Sequence, residues 1–594
     1  MMFAGCSVNK QDPTPTAAKP AGPTASPTPT QAPPDIDAST VDFTTQTWVA
    51  LEIPFTSSID YPTAPIYDVN LDVTFTAPDG STLVMPGFWD GGTSWKVRFA
   101  PTQYGVWTYK TVCSDATNTG LNGKEGKIAA NAYKGDLAIY QHGFVKTVPN
   151  TRYFEYADGT PFFYLGDTHW GMPYERFDGS NVAGVDSEFK YVVDTRVSQG
   201  FTVYQSEPMQ TYNAIEKTDD KVYSSLTKFT KSVLPGFENM DRKFKYLADK
   251  GMVHANAQLF WANEFQNASN MRYYTDDYLN RLCRYWVARY AAYPVLWTTG
   301  QEVDQNFYKV YDTNNNPWKK VEEFIYRNDP YKHPGTAHQE NTGVTKASNS
   351  SFKGLESHTW FAAQWAPNTL LSQDFSIAKD YWNNSGEQPV VNYEGHYDHF
   401  WTNTSGARLQ GWTAFLNGMC GQGYGSAGIW LLINDYTTKD YAGSYDLDKD
   451  TGTDAETTMA MKRMGWYDSV KLPAATQLGT YMHNFFNSFD WWDLVPCFDD
   501  RPGDHIAMYS STMYSAATID NKTYVAYFYN QTATTGRIQG LEGGQTYTAK
   551  WFNPRTGEYT DIASDIAGSG DKSFWQMPDK PDKNDWVIYV TMNY

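Results

Sequence analysis

The stretch PVVNYEGHYDHF, Pro389–Phe400, finishes an apolar run and then crowds Glu394, His396, Asp398 and His399 together. A second apolar run, VLWTTGQEVD at 295–304, ends in Gln301, Glu302 and Asp304. Two glutamates at the ends of two such runs can divide acid–base and nucleophilic work. One carboxyl keeps a proton for a leaving oxygen, while the other stays ionised and attacks a carbon or activates water. Cleavage of a glycosidic bond needs that division, with the carboxyls about 5–5.5 Å apart for retention and about 6.5–9.5 Å apart for inversion. His396 and His399 offer a rival chemistry, metal binding. Their spacing of three is a weak signal and no HExxH is present, so no metal or other cofactor is expected. In YDLDKDTGTD, 445–454, Asp446, Asp448 and Asp450 alternate like the start of a calcium loop. The glycine falls one place late and Thr457 stands at position twelve, so a solvated acidic turn is expected.

Something must carry the two glutamates to one place. From about residue 150, apolar runs alternate with helical patterns. The runs are 161–170, 201–209, 252–261, 295–304, 334–340, 354–360, 389–395 and 426–432. In the helical stretch before 295, Leu279, Leu282, Trp286 and Tyr290 share one face, and Tyr293-Pro294 ends it. Eight apolar strands buried on both faces and alternating with helices predict a (β/α)8 TIM barrel. A doubly wound sheet is the alternative, but YLGDTHWGM lacks the glycine-rich phosphate loop that would follow its first strand.

A TIM barrel gathers its site at the C-terminal ends of its strands. Strand one brings Asp167, His169 and Trp170 there, strand two Gln205 and Glu207, and strand three Gln258 and Trp261. Strand four brings Gln301, Glu302 and Asp304, strand five His338 and Gln339, and strand six His358 and Trp360. Strand seven brings Glu394 and His396, and strand eight Trp430. Glu302 and Glu394 then face each other across the mouth and are the catalytic candidates. Asp167, His169, Gln205, Gln258, His338 and His358 are candidates for binding sugar hydroxyls. Trp170, Trp261, Trp360 and Trp430 are candidate stacking walls, with rim packing as the bland reading.

WTTGQEVD and PVVNYEGHYD resemble the strand-four and strand-seven motifs of clan A glycoside hydrolases. That resemblance implies Glu302 as acid/base and Glu394 as nucleophile in a retaining double displacement. The clan usually has Asn before its acid/base, and here Gln301 stands there. Over most of the chain, PFFYLGDTHWGM, RYWVARYAAYPVLWTTGQEVD and PVVNYEGHYD resemble the apiosidase-like catalytic domain family. The tail with WFNPRTGEY resembles the collagen-binding-type β domain that often follows it. The resemblance implies an exported bacterial enzyme acting on a plant or related complex glycan.

The flanks read as β structure. Residues 41–135 hold alternating strands with turns such as Pro78-Asp79-Gly80, and 499–594 hold TYVAYFYN and DWVIYVTM. Two β-sandwiches are expected, on either side of a barrel at 136–498. Residues 1–40 read as a Pro/Thr-rich linker behind FAGC, which is similar to the end of a lipoprotein signal with Cys6 as the lipidated residue. The charge of -19 excludes nucleic acid as a partner. An oligo- or polysaccharide is the expected partner, the chain a monomer, and the membrane is touched only through Cys6. That places the chain outside a bacterial cell, as a surface lipoprotein. A surface-tethered protein that binds glycan or host matrix without cutting it is the alternative; it has no need of two facing glutamates.

Overall fold

Short runs rich in β-branched and aromatic residues pair as one parallel sheet in the computed structural model. The structure describes residues 33–61, 65–208, 234–257, 275–304, 316, 318–339, 346–366, 375–400, 402–430, 464–498, 506–508, 513–529, 536–568, 570 and 574–593. The strands are β1 (Tyr164–His169), β2 (Val203–Ser206), β3 (Val253–Ala257), β4 (Val295–Thr298), β5 (Gly335–Thr336), β6 (Phe361–Gln364), β7 (Val390–Glu394) and β8 (Gly421–Tyr424). β1 pairs with both β2 and β8, and the others follow in chain order. A bridge between His338 and Ala362 joins β5 to β6, so the ring closes as an eight-stranded barrel. Around it lie α1 (Glu188–Ser198), α2 (Leu234–Asp249), α3 (Asp276–Tyr290), α4 (Trp318–Asn328), α5 (Phe375–Asn384) and α6 (Thr404–Leu416). The face expected for α3 is the buried one: Leu279, Leu282, Trp286 and Tyr290 are all inside.

Two strands fall elsewhere than the sequence predicts. Residues 354–360 form turns, and the sixth strand starts only at Phe361. The eighth is GQGY, Gly421–Tyr424, and 426–430 lie beyond its end. A strand with two glycines gives no apolar run to read. Crowding inside the barrel demands them: a Cβ on Gly423 would lie 2.1 Å from the Tyr393 carbonyl oxygen and 2.7 Å from Gln205 Nε2.

Largely antiparallel sheets flank the barrel; the one parallel strand pair among their described residues joins Phe43–Gln46 to Glu125–Asn131. Before it, five strands ending with Thr82–Pro86 at one edge face a three-stranded sheet built on Ser94–Phe99, with Phe75 stacked on Phe99 at 3.8 Å. After it, a six-stranded sheet that includes Thr523–Phe528 and Trp586–Met592 accompanies a three-stranded one. The flanking layers are fastened by buried charge. Arg98 of the N-terminal sheet reaches Asp241 of α2 at 2.6 Å, and Arg289 of α3 reaches the same carboxylate. Arg408 of α6 forks onto Asp585 with two bonds of 2.9 Å, and Tyr527 donates to that carboxylate too. Every residue of α6 is buried, because the C-terminal sheet covers the side that would otherwise meet water. Among the described residues no helix is long and apolar enough to cross a membrane. Residues 1–32, with Cys6 and the linker, and 431–463, with the acidic turn, lie outside the described residues.

Candidate active site

β7 ends in Glu394, and a bulge aims it. Ala363 pairs with Asn392 but Gln364 pairs with Glu394, so Tyr393 is the extra residue on β7. In a regular strand, neighbours point to opposite faces. Here Tyr393 and Glu394 both reach the barrel mouth. Tyr393 packs on the Trp170 and His338 rings at 5.7 and 5.1 Å. Trp170 also donates to Glu394, and His338 Nε2 faces that carboxylate without hydrogen-bonding it. Bulges re-aim side chains in this way next to active sites.

Donors converge on the Glu394 carboxylate, which is 3% exposed. Trp170 Nε1 lies 3.4 Å from Oε1, and the Tyr397 hydroxyl donates to the same oxygen. Gln301 Nε2 donates to Oε2 at 3.1 Å. His338 Nε2 lies 3.5 Å from Oε2. The Glu302 backbone N–H points at His338 Nδ1, 3.4 Å away, which fixes the ring proton on Nε2, facing Glu394. Burial pushes His338 down to about 3, so the ring is neutral. Burial, and then the charge of Glu302, push Glu394 up; Tyr397, Gln301 and Trp170 pull it back.

Glu302 follows β4 in a left-handed conformation, φ 52°. Its Oε1 accepts from Gln364 Nε2 at 3.1 Å. Burial raises its pKa and that one bond opposes the shift. Two interacting acids of this kind give up their protons as a pair.

The other predicted site residues divide by which way their strand turns them. On β1, Trp170 faces inward with Glu394. Asp167 and His169 face outward, toward α1, which corrects the expectation that they bind sugar. Asp167 Oδ2 accepts from Arg196 Nε at 2.7 Å and His169 Nε2 at 2.9 Å. His169 Nδ1 lies 2.6 Å from Glu175, and the two carboxylates overcome the effect of burial to push this imidazole up to about 9. This is a charged clamp between barrel and helix. Gln205 does face inward, but its amide is fully engaged. It donates to Thr168 Oγ1 and the Tyr393 carbonyl and accepts from Tyr164, filling the barrel below the mouth.

The shift of the sixth strand corrects two more. His358 precedes β6, at the end of the barrel away from the mouth, where its Nδ1 meets Glu322 of α4 at 3.2 Å. Trp360 sits there too, packed against Phe154 and Tyr164. Trp430 lies past β8 and stacks on Tyr397 at 4.7 Å, supporting that donor from behind. Gln258 and Trp261 lie outside the described residues. The mouth therefore gathers Glu302, Glu394, Gln301, His338 and Trp170, with Trp430 behind. Asp304 and Gln339 bond each other at 3.2 Å and tie down the loops.

Sequence reasoning missed Tyr397 and Gln364. Tyr397 stands inside the crowded stretch between Glu394 and Asp398, where the ionisable neighbours drew attention from it. Those neighbours shape the turn that holds it: Asp398 accepts from Tyr424 at 2.9 Å and pairs with His399, whose φ is 61°. Gln364 went unread because the sixth strand was placed too early.

Residues 148–493 match the model of the family described as "Apiosidase-like, catalytic domain". Residues 44–114 match a "Domain of unknown function (DUF5060)", and 506–591 a "Putative collagen-binding domain of a collagenase". No curated protein matches the sequence. Among solved structures, the chain is similar to "a putative glycoside hydrolase" from Bacteroides vulgatus, at 15% identity and a TM-score of 0.64, over 93% of this chain and 100% of that one. It is also similar to a glycoside hydrolase family 5 structure from Bacteroides vulgatus, at 17% identity and a TM-score of 0.58, over 77% and 95% of the two chains.

Proposed function

Because the chain belongs to the apiosidase-like catalytic domain family and is a glycoside hydrolase, we propose that it cuts a plant or related complex glycan with retention, using Glu302 and Glu394. The observation that carries the role assignment is the unequal share of donors. Trp170, Tyr397 and Gln301 bond Glu394 and His338 faces it, whereas among the described residues Gln364 alone bonds Glu302. Donors stabilise an anion, so this reading assigns the negative charge of the pair to Glu394 and the proton to Glu302, against the push of burial and the Glu302 charge that takes Glu394 up to about 8.

The chemistry follows. Glu394 attacks the anomeric carbon as the bond to the leaving oxygen breaks, and Glu302 gives that oxygen its proton. A glycosyl ester on Glu394 results. Glu302, now ionised, takes a proton from water; the water oxygen attacks the anomeric carbon and frees Glu394.

Reducing-sugar release from a panel of plant polysaccharides tests this, with Glu302→Gln and Glu394→Gln beside wild type. We expect cleavage by wild type, a fall of about 10²–10⁴-fold for Glu302→Gln, and no turnover for Glu394→Gln. NMR of the first product should show the anomeric configuration of the substrate. Inverted product, or variants as fast as wild type, would sink the assignment. Tethering at the cell surface through a lipid on Cys6 belongs to the same proposal. Cys6→Ser should then move the chain from the membrane fraction to the soluble one, and an unchanged distribution would remove the anchor.

A further inference from the structure

One carboxyl in the mouth has no task in that mechanism. Glu207 follows the last residue of β2, and strand alternation puts it on the face of Gln205, inside the barrel. Its inward aim agrees with its neighbours: the charges it feels are those of Glu394 and Glu302. It is 2% exposed, and neither carboxyl oxygen has a hydrogen-bond partner among the described residues. Other polar atoms there are left open as well. Gln301 and Gln364 each spend their amide nitrogen on one of the paired glutamates and leave Oε1 without a donor among the described residues. A buried polar group without a partner is costly, and such groups in native proteins call for a reason.

We propose that Glu207 binds substrate: its carboxyl, orphaned in the mouth beside Glu302 and Glu394, hydrogen-bonds hydroxyls of a neutral sugar at the point of cleavage. This rests on the glycosidase reading and extends it to the class of sugar. Burial, and then the charges of Glu394 and Glu302, raise the Glu207 pKa well above its ordinary value, which favours the protonated form. A neutral carboxyl has one O–H to donate and oxygens to accept with, which suits a hydroxyl group that also does both. The open Oε1 atoms of Gln301 and Gln364 accept from further hydroxyls. No Lys or Arg of the described residues bonds any of the three glutamates. A uronic acid would bring a further negative charge that no Lys or Arg bond among the described residues offsets, so on this proposal the site disfavours uronates.

The test is sugar binding by saturation-transfer NMR on the full chain. The probes are neutral pentoses and hexoses and the matching uronic acids. The variants are Glu207→Ala, Glu207→Gln and Glu207→Met, the last keeping the side-chain volume if the alanine variant fails to fold. We expect neutral sugars to bind wild type. We expect binding to fall at least about tenfold in the alanine and methionine variants and to recover for the most part in the glutamine variant, which keeps a donor and an acceptor. Equal binding in all four proteins, or a uronate bound more tightly than its neutral counterpart, overturns the proposal. Binding that depends on Glu207 in a chain that cleaves nothing sinks the glycosidase reading alone. Cleavage at the wild-type rate by Glu207→Ala sinks this proposal alone.

Discussion

Glu302 and Glu394 are one residue type in two surroundings, and the difference is largely the company each keeps. Glu394 sits among an indole, a phenol, an amide and an imidazole. Glu302 sits against one amide, on a backbone twisted to φ 52°, a conformation that costs a non-glycine residue about 1–3 kcal/mol. Among the donors, Tyr397 is the most telling, because its hydroxyl bonds Glu394 and itself takes a bond of 2.7 Å from Trp170. Tyr397→Phe keeps the ring against Trp430 and removes the donor. Since that hydroxyl holds the Glu394 pKa down, its loss must let it rise. On the proposed roles, the acidic limb of the kcat/KM profile reports ionisation of Glu394. We expect it to move to higher pH by about one unit, with a fall of about tenfold at the optimum. An acidic limb that stays in place or moves down would show that Tyr397 does not tune the nucleophile.

The elements explain which of these relations the sequence could disclose. The barrel was legible because apolar runs alternating with helices allow few other folds, although the sixth and eighth runs fell beside the strands themselves. The two glutamates were legible as ends of apolar runs four and seven. Strand alternation was also there to be used: on β1 it separates inward Trp170 from outward Asp167 and His169. Other relations depended on packing that no local pattern records. The β7 bulge at Tyr393 lets two successive side chains enter one cavity, against the period of two. β8 carries glycines because Tyr164 occupies the space a side chain at 421 would fill, and Gln205 and the Tyr393 carbonyl that of one at 423. Helix α6, TSGARLQGWTAFL, has no clear apolar stripe, and the C-terminal sheet is why: Trp412 stacks on Tyr527 at 5.7 Å, and Arg408 is buried against Asp585. A helix covered on both sides cannot be read as a surface helix.

At the scale of the whole chain, the flanking sheets brace the barrel wall behind the site. The N-terminal sheet does so through one carboxylate. Asp241 of α2 lies between Arg98 and Arg289, and these two guanidiniums overcome burial to hold its pKa down to about 2. Arg289 also reaches Asp90, and Arg98 also reaches Glu52, so strands and helices share one charged knot. Asp241→Asn leaves two buried cations facing each other without the anion between them. We expect a loss of about 3–5 kcal/mol at neutral pH, measured by urea unfolding. The sign with pH is fixed by the direction of the shift. A carboxyl depressed in the folded state stabilises above its unfolded pKa, about 3.8, and that gain is lost as pH falls through the folded value, about 2. The gap between wild type and Asp241→Asn should therefore be full above about pH 5 and narrow by about 2 kcal/mol on going to pH 2. A gap that stays constant across that window would mean that the buried charge of Asp241 is not what fastens the N-terminal sheet to the barrel, leaving packing such as that of Phe88 against Tyr285 of α3, ring centroids 6.3 Å apart, to do it.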